Sequence, residues 1–162
     1  MAILPLEVSL VVKYITSEEF KAFSKEVAKN LNVDDLFSSV EYQRTFEKYP
    51  HKQNSLAFTI FSPNYKSFQD VYFNTKKIAS ETDVLYKKHR DLEKEYVLKV
   101  LVDFLLIHEL THVSQFKNKD FEMYTYNPPS NSRDYENNEF EVKANDTAYD
   151  YLKDRSSCTK KY

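Results

Sequence analysis

The chain has 162 residues and a formal net charge of −2, long enough to bury a core in one domain and too weakly charged to attract nucleic acid. It contains no glycine, which excludes glycine-based phosphate loops and dinucleotide fingerprints. Left-handed backbone must then fall on Asn or Asp, and Asn30, Asn32 and Asn118 are suitably placed. The single cysteine, Cys158, has no internal disulfide partner and fits a reducing compartment.

Met1 to Val12 is apolar, lacks a basic leader and contains Glu7. It reads as a first strand, over Leu6 to Ile15, rather than a signal peptide, so a cytoplasmic protein is expected. Thr16-Ser17-Glu18-Glu19 is a capping box opening a helix to about Asn30. Val33 to Tyr49 is ambiguous in period, with helix preferred from Asp34 onward. Leu56 to Phe61 and Val71 to Asn74 are β-branched and aromatic, bounded by Ser62-Pro63-Asn64, and read as two strands. Helices are expected over Glu81 to His89 and Asp91 to Phe116, and again over Asn138 to Leu152, with Asn137 or Asn138 as the cap. Strands before the long helix and helices after it make an α+β domain. The apolar run from Val100 to Ile107 is too short to span a bilayer, and Lys99 and Asp103 beside it can share one stripe that reaches solvent.

One segment carries a specific chemistry. His108, Glu109 and His112 lie in His108-Glu109-Leu110-Thr111-His112. On a helix, positions i and i+4 project from nearly one face, so both imidazoles can reach one metal ion while Glu109 lies beside its open position. The apolar surroundings are those of a rigid, water-poor platform, and the pattern predicts a zinc site with its own general base.

Catalytic zinc usually takes a third protein ligand. A third histidine following a glycine is excluded, because Gln115 and Asn118 occupy those places. His51 and His89 sit among charged residues and read as surface histidines. Downstream, Glu141, Ala144, Asn145, Ala148 and Leu152 share one helical face. Glu141 is therefore placed to reach the metal, and Asn145 or Asp146 could hydrogen-bond the imidazoles from behind. Glu139 is the rival ligand, on a different face from the alanines.

The HExxH segment followed by Glu-x-x-Ala-Asn-x-x-Ala-x-x-Leu resembles the gluzincin class of zinc metallopeptidases. It is similar in particular to compact members such as ImmA/IrrE-type peptidases and small HExxH proteins of bacteria and their phages, although Thr111 stands where the ImmA/IrrE pattern usually has Gly. The resemblance implies one Zn2+ per chain, with His108, His112 and Glu141 as ligands and Glu109 as base. It further implies a small zincin-like domain over residues 1–156, with a short mixed sheet, a central HExxH helix and a C-terminal ligand-bearing helix. Residues 157–162 then form a polar tail, and a phage-encoded member could be virion-associated.

The expected reaction is metal-assisted hydrolysis of a peptide bond in a peptide or protein substrate, with no nucleic-acid or membrane partner. Tyr124, Tyr126, Arg133 and Tyr135, between the two helices, are candidate donors to the tetrahedral oxyanion. The substrate is expected to lie along an edge strand, either Leu56 to Phe61 or Val71 to Asn74. The alternatives are a zinc-binding structural or interaction protein with a peptidase-derived fold, and a regulator whose motif is unfilled.

Overall fold

A computed structural model describes residues 5–49, 52–60, 69–117 and 138–159. Along the chain run α1 (Val8–Ile15), α2 (Glu18–Asn30), β1 (Phe37–Gln43), β2 (Ala57–Ile60), β3 (Gln69–Asn74), α3 (Thr75–Lys88), α4 (Lys94–Lys117) and α5 (Glu139–Thr159). Five helices and a three-stranded mixed sheet among the described residues make an α+β arrangement. No helix among them is long and apolar enough to cross a membrane.

The N-terminal segment is a helix, which corrects the strand expected over Leu6 to Ile15. Val11, Tyr14 and Ile15 are its buried residues, at i, i+3 and i+4, so one helical stripe meets the core. Local preference for strand amounts to about 1 kcal/mol at most for such residues, and packing of the stripe outweighs it. The Leu6 N–H donates to both carboxylate oxygens of Asp83 in α3, at 3.1 and 3.0 Å, so this donor goes to a side chain rather than to a sheet.

Helix α2 begins where expected, but its cap is Ser17, whose hydroxyl accepts from the Phe20 N–H at 3.1 Å. Phe20 thus occupies the position a reciprocal glutamate would need, and the expected capping box is reduced to a single N-cap. Thr16 instead closes α1, its hydroxyl donating to Val12 O at 2.8 Å.

The helix preferred from Asp34 onward does not form either. Asn32 turns the chain with φ 58°, a left-handed position that Asn tolerates better than most residues. Lys117, at the end of α4, holds the reversal by donating to Asn32 O at 2.7 Å and Asp35 Oδ1 at 2.8 Å. After a short turn the chain enters β1, parallel to β3 with Val40 opposite Val71.

β2 runs antiparallel to β3 with Phe58 opposite Tyr72, giving the order β1-β3-β2. Val71 and Phe73 are fully buried in the main core. Tyr72, between them on the opposite face, stacks on Phe58 with ring centroids 5.5 Å apart, and Phe46 and Tyr49 pack on the Phe58 ring. Asn74 ends β3 and caps α3, accepting from Lys77 N–H at 3.1 Å. That cap starts α3 at Thr75, ahead of the expected Glu81.

Helix α4 is buried on nearly every side. Asp103, expected on a solvent stripe with Lys99, is only 4% exposed and accepts a 2.6 Å hydrogen bond from the Tyr14 hydroxyl. Lys99 does lean outward, to Glu19 at 3.1 Å. Placing α1 across α4 is what covers the carboxylate. Helix α5 packs along α4 through Ala144 and Ala148, both fully buried. Two small side chains let the helix axes approach closely, and α5 continues past residue 156 to Thr159.

Candidate metal centre

His108 and His112 project one turn apart from α4, and Glu141 from the first turn of α5. All three are buried, at 6%, 6% and 4% exposure. The start of α5 is set by Asn138, whose Oδ1 accepts from the Phe140 and Glu141 N–H groups at 3.0 and 3.2 Å. This cap holds Glu141 at the helix end nearest the histidines. Glu139, two residues earlier, is exposed.

The orientation of each imidazole follows from what its other nitrogen touches. His112 Nδ1 lies 2.8 Å from Gln115 Oε1, and Gln115 Nε2 donates to Phe140 O at 3.0 Å. The second bond orients the amide, so its oxygen faces the ring. His108 Nδ1 lies 2.8 Å from Asn145 Oδ1. Amide oxygens only accept, so both Nδ1 atoms carry a hydrogen, and in the neutral ring each Nε2 presents a lone pair, whereas a protonated ring donates from Nε2 to Glu141.

Those lone pairs converge. The two Nε2 atoms are 3.2 Å apart, and Glu141 Oε2 lies 2.9 Å from that of His108 and 3.1 Å from that of His112. Three Lewis bases aimed at one point demand a cation, either a proton or a metal ion. Ligands about 2.0–2.1 Å from a tetrahedral zinc stand about 3.3 Å apart, so the observed spacing fits one ion. The group could hold a metal ion.

Charge in the centre is biased accordingly. Burial opposes ionisation of Glu141, yet hydrogen bonds from His108 and His112 hold its carboxyl far below the usual range. For His112, burial disfavours the cation, but the hydrogen bond to Glu141 and the nearby charges of Glu109 and Glu141 outweigh it and raise its pKa.

No family model, characterised protein or solved structure matches this chain.

Glu109 is buried at 8% exposure beside the two histidines but outside the three-ligand group. Its Oε2 accepts a hydrogen bond from the Thr59 hydroxyl of β2 at 2.8 Å. Of the two residues expected behind the imidazoles, Asn145 meets His108 whereas Asp146 is exposed, its side chain turned off the α4 face. His89 is exposed at the end of α3. His51, Asn118 and the four donor candidates Tyr124, Tyr126, Arg133 and Tyr135 lie outside the described residues.

Two residues of the site had no role assigned from sequence. Gln115 lies three positions after His112, one helical turn, and that spacing was a signal open to reading. Thr59 had none, because it comes from a strand 50 residues before Glu109.

Proposed function

We propose that this chain is a zinc-dependent metallopeptidase of the gluzincin type, in which His108, His112 and Glu141 hold the ion and Glu109 is the general base. The carrying observation is the convergence of two Nε2 lone pairs and one carboxylate oxygen on a single point, with a second carboxylate beside them and not among them. A buried set of two imidazoles and one carboxylate suits zinc. Three ligands from the described residues match the count of a catalytic site, where a structural site usually takes four.

Zinc held by His108, His112 and Glu141 would supply Lewis acidity that makes water and the scissile carbonyl more reactive. Glu109 accepts the proton of the attacking water and later returns it to the leaving amine. Asn145 and Gln115 keep the imidazole hydrogens on Nδ1, and the buried walls of α4 keep bulk water from competing for the carboxylates.

The sheet supports an extended polypeptide as substrate. β3 is the central strand, so Val71 to Asn74 is not an edge, whereas β2 is an edge among the described residues. Asn74 N–H donates to Leu56 O at 2.8 Å. With the register Ala57 to Phe73 and Thr59 to Val71, alternation in an antiparallel ladder turns the N–H and C=O of Ala57 and Thr59 away from β3. A peptide added along that edge pairs with them by main-chain bonds.

The test is metal analysis with hydrolysis of an unfolded, fluorescently labelled protein. Reconstituted protein is expected to carry one zinc and to cleave, Glu109→Gln to keep the zinc and lose cleavage, and His112→Ala to lose both. Clearly substoichiometric zinc overturns the metal centre, and wild-type cleavage by the Gln variant overturns the role of Glu109.

A further inference from the structure

We propose that Thr59 is a positioning residue that sets the Glu109 carboxylate relative to the substrate strand, an inference that rests on the peptidase reading above. The Thr59 hydroxyl donates to Glu109 Oε2 at 2.8 Å, from β2 to α4. An ionised carboxylate only accepts, so the hydroxyl is the donor. Among the described residues this is the hydrogen bond that the Glu109 side chain receives.

The α4 backbone fixes where the Glu109 side chain starts, not where it ends. A glutamate has several rotatable bonds and loses rotamer freedom when held, so an untethered carboxylate spends part of its time away from the water it must deprotonate. Thr59 is suited to hold it because a β-branched side chain on a strand is stiff about χ1. Its hydroxyl is thereby held in place by the sheet itself. With Oε2 engaged, the other oxygen is the one left to take the proton.

The same residue faces the open edge of β2 with its own N–H and C=O, by the ladder alternation derived above. The base and the substrate main chain are thus both registered on Thr59. A peptide paired along this edge meets Glu109 at a distance set by one residue, without dependence on substrate side chains.

Thr59→Val keeps the β-branched shape and removes the donor, whereas Thr59→Ser keeps the donor. Both are tested as zinc-loaded full chains for zinc affinity, for kcat and KM on the labelled protein, and for binding of acetohydroxamate. That acid gives up a proton on binding a metal, and the adjacent carboxylate is the group placed to take it. Zinc affinity is expected to be unchanged in both variants. In the Val variant, kcat and acetohydroxamate affinity should fall roughly ten- to a hundredfold, the equivalent of one hydrogen bond to a charged group, with KM unchanged. The Ser variant should restore most of both losses. A Val variant at wild-type kcat and hydroxamate affinity, alongside an inactive Glu109→Gln, overturns the role of Thr59 and leaves the peptidase reading standing. Equal impairment of Ser and Val also overturns it, since the effect would then be strand packing. An unmodified chain that cleaves nothing, and whose Glu109→Gln variant binds acetohydroxamate as well as wild type, overturns the peptidase reading and the role of Thr59 with it.

Discussion

Gln115 accepts the Nδ1 hydrogen of His112 at 2.8 Å, and the other end of the same amide donates to Phe140 O at 3.0 Å. The side chain is 1% exposed, so water cannot replace either bond. One buried amide therefore sets the ring of His112 on α4 and ties α4 to the residue before Glu141 on α5. Gln115→Leu removes both bonds at similar volume and should lower zinc affinity roughly 10–100-fold. Gln115→Glu keeps an acceptor for His112 but has nothing to donate to Phe140, so it should separate the two effects. Competition with a chromophoric chelator reads the affinity, and an unchanged value for the Leu variant would remove Gln115 from the site.

Glu141 and Glu139 lie two residues apart on α5, yet one is 4% exposed and the other faces solvent. Glu141→Ala should lose zinc on dialysis against a weak chelator, whereas Glu139→Ala should retain it like the unmodified chain. Retention by the Glu141 variant would move the third ligand elsewhere.

The raised His112 pKa and the depressed Glu141 pKa would give the proposed zinc binding a defined pH dependence. Zinc must displace the proton from His112, so apparent affinity should fall as pH drops through the raised His112 range, by about tenfold per pH unit for one displaced proton. Glu141 is already ionised there and adds no further loss until the solution is strongly acid. The metal-free chain has the opposite slope. A folded-state imidazole pKa above its ordinary 6.5 stabilises the fold below that value, and the contribution disappears as pH rises through the folded-state pKa. Titrations of zinc affinity and of metal-free urea midpoints across pH 6 to 8 check both signs. A pH-independent affinity would show that no imidazole proton is displaced.

Tyr14 donates to the buried carboxylate of Asp103, joining α1 to the middle of α4. Tyr14→Phe keeps the ring and deletes the hydroxyl, which should destabilise the fold by about 1.5–3 kcal/mol, the range for a hydrogen bond to a charged group. Urea unfolding reads the loss. Zinc affinity at the native baseline should stay the same, since Asp103 lies more than a turn before His108.

The parts of this molecule legible in its sequence are those governed by neighbours one or two turns away. The i, i+4 spacing brought His108 and His112 to one face of α4, because helix pitch alone decides that. The stripe from Glu141 through Ala144 and Ala148 marked the face of α5 that turns inward, since small side chains at that period suit close helix approach. With no glycine available, Asn32 was a natural site for the one left-handed residue among those described. Edges of elements were less legible. Asn74 both ends a strand and caps a helix, and no periodicity reports such a double role.

Sequence by itself settled which side chains share a helical face, because that depends only on local backbone geometry. Tertiary structure alone decided that α1 is a helix, that β1 is a strand, that Asp103 is buried and that β2 supplies the edge beside Glu109. Each of these involves a contact between distant residues: Leu6 with Asp83 across 77 positions, Lys117 with Asn32 across 85, Tyr14 with Asp103 across 89 and Thr59 with Glu109 across 50. Such contacts leave no period in the chain, and together with the core packing around them they outweigh the small local preferences for strand or helix that a sequence pattern records.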